Sequence, residues 1–226
     1  MSLSQHLRTT IGTLILLWSS LVSHLGVFGL QIVLPGGTGT IGQTLCTKLA
    51  NNHHDVIVLT RNAFLAAAPS RVSNDFGWMG KSFLQNNPHV KLRDWDGGDL
   101  LDIVGQDWVG WQDDVLKNTQ DDNIVIVHLV GGGFTPQRTM AYERMVREAM
   151  VNCPNALHIT VNPIDEEIAV LSPGMLTVKK QRIQECEQMV QQNCRNHECL
   201  RIEVYRIEQG CDAIVKAIQD WEKEQS

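Results

Sequence analysis

The run Ile32-Val33-Leu34-Pro35-Gly36-Gly37-Thr38-Gly39-Thr40-Ile41-Gly42 constrains this chain more than any other stretch. An apolar strand feeds a glycine-rich turn, and a helix predicted over 40–52 leaves it. A second apolar strand, Asp55-Val56-Ile57-Val58-Leu59-Thr60, follows. Strand, glycine turn, helix and strand in that order make a βαβ unit of the dinucleotide-binding kind. Gly37, Gly39 and Gly42 satisfy G-x-G-x-x-G, and Gly36 extends the run to G-x-x-G-x-x-G. Gly37 is expected to permit the tight turn. Gly39 is expected to let the backbone approach a pyrophosphate, and Gly42 to let the helix pack on the strand. Thr38, Thr40 and Ile41 complete the loop, where the helix start offers N–H groups and a positive dipole end to phosphate. A glycine turn without a ligand would give the same letters and stands as the alternative.

Leu34 to Gly42, followed by Val58-Leu59-Thr60-Arg61, resembles the extended and atypical short-chain dehydrogenase/reductase superfamily, most nearly its NAD-dependent-epimerase-like branch. The resemblance is specific over about residues 30–62 and looser from there to about 207. It implies a Rossmann fold and a nicotinamide dinucleotide. It also implies that Gly131 and Gly132, at the end of the fourth strand, pass beside the nicotinamide ribose.

The rest of the chain alternates in the same way. A short helix and a long loop are expected over 62–89, a brief third strand at 90–92, and a helix at 111–117. The apolar run 123–130 reads as a parallel strand covered on both faces. A helix over 137–151 carries Tyr142, Met145, Val146 and Ala149 on one face. Strand five is expected over 156–161, a helix over 177–194, strand six over 200–207 and a last helix over 212–223. The prediction is an α/β doubly wound parallel sheet, order 3-2-1-4-5-6, in a single domain over 30–226.

Residues 1–29 read as a hydrophobic leader. Arg8 precedes an apolar run over 11–22 that is short and interrupted for a membrane span. A removed signal peptide, a retained membrane anchor and an organelle presequence remain open, and with them the compartment. A net charge of −6 argues against a nucleic-acid partner. No C-x-x-C or H-E-x-x-H spacing suggests a metal site. The six cysteines read as free thiols, with Cys194–Cys199 the one pair placed for a disulfide.

Cofactor choice is read at the end of strand two. An NAD site places Asp or Glu there to accept from the ribose 2′-OH. This chain has Thr60-Arg61-Asn62 instead, and Asp55 stands at the opposite end of the strand. A guanidinium suits a 2′-phosphate, so Arg61 favours NADP(H), with NAD(H) the alternative.

The resemblance implies a Tyr-x-x-x-Lys pair on the helix after strand five and a hydroxyl residue on that strand. Met175-Leu176-Thr177-Val178-Lys179-Lys180 stands in that place, with the lysine as Lys180 or Lys179 and no tyrosine. Tyr142 lies one element early on an apolar face, and Tyr205 falls in strand six. Thr160 is a stand-in for the hydroxyl, and Asp165 to Glu167 are the nearest acids. Only 19 residues follow Ile207, too few for the substrate region of a sugar-nucleotide epimerase. Two readings result: an NADP(H)-binding protein with oxidoreductase- or epimerase-type activity from Lys180 and Thr160, or a non-catalytic NADP(H)-binding redox sensor or scaffold for a protein partner or a second copy.

Overall fold

The computed structural model describes residues 29–50, 54–72, 77–95, 111–117, 123–130, 136–164 and 175–225. The leader over 1–28, Gly131 and Gly132, and Asp165 to Glu167 lie outside the described residues.

Strand β1 (Gln31–Pro35) is followed by helix α1 (Thr40–Leu49) and β2 (Asp55–Thr60). Two short helices, α2 (Ala63–Ala66) and α3 (Lys81–Asn86), lead to β3 (Val90–Asp94). Then come α4 (Trp111–Val115), β4 (Ile124–His128), α5 (Pro136–Asn152), β5 (Leu157–Pro163), α6 (Leu176–Asn193) and β6 (Asn196–Ile202). A 3₁₀ turn (Val204–Arg206) opens into α7 (Ile207–Gln225). The strands form one parallel sheet in the order β3-β2-β1-β4-β5-β6. This is the predicted doubly wound arrangement, and its crevice opens where β1 and β4 send their connections to opposite sides.

Alternation along the strands divides the core. Ile32, Leu34, Val56, Val58, Val125, Val127, Leu157 and Ile159 face α1 and α7, which answer with Leu45, Leu49, Ile214 and Ile218. Val33, Ile57, Leu59, Ile124 and Ile126 face α4 and α5 with Trp111, Met145 and Ala149. Each fully buried Leu or Ile contributes about 1.5–3 kcal/mol. Helix propensity differs by under about 1 kcal/mol per residue, so packing, and not propensity, fixes these helices. Trp95 and Trp111 meet edge to face at 6.1 Å, consistent with a packing role.

Several boundaries differ from the sequence reading. α7 begins at Ile207, five residues before its expected start. β6 begins at Asn196 and ends at Ile202, several residues earlier than expected. Its register against β5, from Leu157↔Asn196 to Pro163↔Ile202, sets those limits, and polar Asn196-His197-Glu198 gave no local strand signal. Tyr205 therefore lies in the 3₁₀ turn and is exposed. β5 continues to Pro163, two residues past its expected end. All six cysteines are free thiols, Cys194 and Cys199 included.

Candidate dinucleotide site

The glycine turn joins the end of β1 to the start of α1, and each glycine there meets a different neighbour. Gly36 has φ +75°, and a Cβ on it would lie 2.9 Å from the Val130 Cα. The left-handed residue of the turn is Gly36. The Gly36 N–H donates to the Leu59 carbonyl (3.1 Å) and the Gly37 N–H to the Leu34 carbonyl (3.1 Å), which closes the turn. A Cβ on Gly37 would meet the Leu34 Cβ at 2.8 Å, and one on Gly42 would meet the Gly37 carbonyl oxygen at 2.0 Å. These three positions are glycine for reasons internal to the protein.

Gly39 is different. A Cβ there would meet nothing within 4 Å. Gly39 and Thr40 are exposed at the first turn of α1, where the Gln43 N–H donates to the Gly39 carbonyl (3.0 Å). The leading N–H groups of a helix have no intrahelical acceptor, so this end is a ready anion cradle. A pyrophosphate fits it: the cradle is open, rimmed by backbone donors, and carries no acid in the first turn of α1.

The rim of the cradle is built from the chain after β2. Arg61 is exposed, directly past the last residue of that strand. Asn62 caps α2 by accepting from the Leu65 N–H (2.8 Å), and the Asp94 carboxylate accepts from the Ala63 N–H (2.6 Å). Asp55 stands at the far end of β2, paired with Lys91 at 3.1 Å. Residues 77–80 fold onto the turn. A Cβ on Gly77 would fall 1.7 Å from the Thr38 Oγ1, and Gln43 donates both to the Thr38 carbonyl (3.1 Å) and to the Trp78 carbonyl (3.0 Å). No local pattern marks this strap, because only the fold brings Gly77 to Thr38.

The β4–β5 half of the sheet carries polar side chains that pair with one another. Along β5, Leu157, Ile159 and Val161 join the apolar core, while His158, Thr160 and Asn162 face the opposite side and are all buried. Asn162 accepts a short hydrogen bond from the Arg138 guanidinium and donates to the Glu187 carboxylate at 2.7 Å. Glu187 also holds Arg201 at 2.9 Å. His128, at the end of β4, lies 3.1 Å from His158 and stacks on the Tyr142 ring at 4.5 Å. The Tyr142 hydroxyl donates to the His128 carbonyl at 3.4 Å. A polar seam thus runs between the sheet, α5 and α6. None of Arg138, Asn162, His128 or His158 was singled out from sequence. Three polar residues on alternate positions of one strand, 158, 160 and 162, were the available signal.

Thr160 has its hydroxyl turned toward the Glu198 carbonyl at 3.5 Å, under β6. The strand runs three residues beyond it, so the polar position at the carboxyl end of β5 is Asn162. Lys179 is buried and Lys180 half-buried on the first turn of α6. Tyr142 is fully buried, and burial, partly offset by the Arg138 charge, raises its hydroxyl pKa to about 12. Proton transfer at neutral pH wants the opposite shift. Burial, then the neighbouring His197, lowers His158 to about 4, and burial, then His158 and Arg138, holds His128 well below the ordinary range. Among the described residues no group of His, Cys, Asp and Glu could hold a metal. No helix among them is long and apolar enough to cross a membrane.

No family model matches the sequence, and no curated protein matches it. Solved structures do match. The oxidoreductase ylbE from Lactococcus lactis is 11% identical with a TM-score of 0.55, over 84% of this chain and 84% of that one. WbmH from Bordetella bronchiseptica, solved with NAD+, is 11% identical with a TM-score of 0.55, over 84% of this chain and 73% of that one. WbmG from the same organism, solved with NAD, is 12% identical with a TM-score of 0.50, over 78% of this chain. The match spans only about half of WbmG, 54% of its length. At such identities it is architecture that the likeness establishes: this chain has the Rossmann fold shared by the short-chain dehydrogenases/reductases.

Proposed function

We propose that this chain binds a nicotinamide dinucleotide at the Gly36–Gly42 turn, prefers NADP(H) through Arg61, and uses the bound cofactor for sensing or scaffolding instead of hydride transfer. One observation carries the binding reading. Gly36, Gly37 and Gly42 are required by the chain's own packing, whereas Gly39 borders open space. A residue that could bear any side chain, yet bears none, is explained by a ligand that must approach its backbone.

Residues Gly37 to Ile41 would hold the pyrophosphate, and Arg61 would meet the 2′-phosphate. When bound, the cofactor supplies a nicotinamide ring able to accept or give hydride. Among the described residues near the carboxyl ends of β4 and β5, the polar side chains are engaged with one another. Both ends of the Asn162 amide are already engaged by Arg138 and Glu187. The Thr160 hydroxyl faces β6, and both tyrosines are misplaced, one buried and one in an exposed turn. This favours the non-catalytic reading over the oxidoreductase or epimerase reading that rests on Lys180 and Thr160.

Titrating the full chain with NADPH and NADH, and then following nicotinamide absorbance against a panel of carbonyl compounds, tests both halves. Saturable NADPH binding without turnover is expected. Lack of binding by either cofactor removes the proposal, and turnover restores the enzyme reading.

A further inference from the structure

The two edges of the sheet are not alike. β3 is five residues long, its Lys91 and Arg93 held in ion pairs to Asp55 and Asp114, whereas β6 is longer, though it too carries charges at Glu198 and Arg201. β6, seven residues long, is the opposite edge, and among the described residues β5 is its only partner. The Ile202 carbonyl accepts from the Ile164 N–H (3.0 Å), and the Glu198 carbonyl faces the Thr160 hydroxyl, so the even residues of β6 turn their backbone toward β5. By alternation the backbone N–H and C=O groups of His197, Cys199 and Arg201 point outward.

Beside this edge lies a groove of about 360 Å³ between β6 and α7, with Arg195, Glu198, Asp220, Trp221 and Glu224 in its lining. Arg195 is engaged by the Asn155 side chain and Asp220 by Lys223. Glu198 and Glu224 make no ion pair among the described residues. The Trp221 Nε1 is buried in the same wall without an acceptor.

We infer that the outer edge of β6 and this groove form a docking site for an extended peptide segment of a partner protein, one that carries a lysine or arginine. The segment adds to the sheet through the outward groups of residues 197, 199 and 201, the mode in which main-chain bonds give affinity and side-chain pockets give specificity. A basic side chain then crosses into the groove, its aliphatic stem against Trp221 and its charge between Glu198 and Glu224. The acceptor that Trp221 lacks would come from the incoming backbone. The inference is independent of the dinucleotide reading, since it uses the opposite edge of the sheet from Arg61.

The test uses the full chain and two labelled, end-blocked heptapeptides of alternating threonine and valine, one with a central lysine and one with a central glutamate. Fluorescence anisotropy is expected to show the lysine peptide binding at least about tenfold tighter, the scale of a charge pair across an interface. The double variant Glu198→Lys with Glu224→Lys should reverse the preference. Cys199→Pro removes an outward N–H together with the weak, exposed Gln191 to Cys199 Sγ contact (3.4 Å). Cys199→Ala, which removes only that contact, is the control, and Cys199→Pro should abolish binding while its melting temperature stays near that of Cys199→Ala. Hydrogen exchange should show new protection at residues 197, 199 and 201 with the lysine peptide. Binding of neither peptide, equal binding of both, or binding that survives Cys199→Pro would overturn the proposal. So would self-association that Cys199→Pro dissolves, which would assign the edge to a second copy of the chain.

Discussion

The two ends of the βαβ crevice are built on opposite principles. At the β1–α1 turn the protein withholds side chains: Gly39 faces open space, and the helix start is exposed. Near the carboxyl ends of β4 and β5 it supplies them, and Arg138, Asn162, Glu187, His128 and Tyr142 are linked by hydrogen bonds and ring stacking, with the buried Arg138 Nε left without a hydrogen-bond acceptor among the described residues. A bare, exposed turn costs little stability. A buried charged seam costs desolvation that only its own hydrogen bonds offset. The difference teaches that one sheet can leave a glycine turn bare at β1 while pairing polar side chains with one another along β4 and β5.

The sharpest test of that contrast exchanges the two kinds of glycine. Gly39→Val should abolish NADPH binding with little change in thermal stability, because its side chain enters open space. Gly42→Val should do the reverse in order of cause and unfold the protein first, since even a Cβ falls 2.0 Å from the Gly37 carbonyl. Circular-dichroism melts beside NADPH titrations read both, and a Gly39→Val protein that binds like the parent ends the cradle assignment.

Acid should attack the seam and spare the cradle. The His158 pKa is lowered in the folded chain from the ordinary 6.5 to about 4. The unfolded chain therefore binds more protons in that window. The contribution is fully present above about pH 6.5 and is lost as pH falls toward 4, roughly 3 kcal/mol in all, with His128 adding in the same direction. Denaturant melts at several pH values check the slope. In His158→Phe that slope should flatten, and an unchanged slope would place the acid sensitivity elsewhere.

Removing the centre of the seam should come next in size. Asn162→Ala deletes the acceptor of the buried Arg138 and the donor to Glu187, and loss of hydrogen bonds to charged groups predicts about 2.5 kcal/mol of destabilisation. NADPH affinity should change little. A large affinity loss with unchanged stability would instead put Asn162 in the cofactor site and reopen the enzyme reading.

The smallest expected effect is at the rim. Arg61→Ala should weaken NADPH by about 2 kcal/mol, one charge-assisted interaction, and leave NADH affinity and the melting temperature near those of the parent. Equal losses for both cofactors by calorimetry would show that Arg61 supports the loop after β2 and does not read the phosphate.

Local chemistry determined much of this by itself. The alternation of apolar strands with amphipathic helices specified a doubly wound sheet in the order 3-2-1-4-5-6, because an apolar run covered on both faces has few other homes. The glycine spacing located the turn between β1 and α1, since a tight strand-to-helix turn needs backbone room that side chains would fill. Tertiary structure decided what depends on distant partners. It decided that Gly36, pressed against Val130, takes the left-handed conformation and not Gly37. It set the limits of β6, whose polar residues become a strand only by pairing with β5. It also decided that His158, Thr160 and Asn162 are buried. A polar side chain carries no mark in sequence of the buried arginine or carboxylate that will satisfy it, and here those partners stand between 24 and 25 residues away.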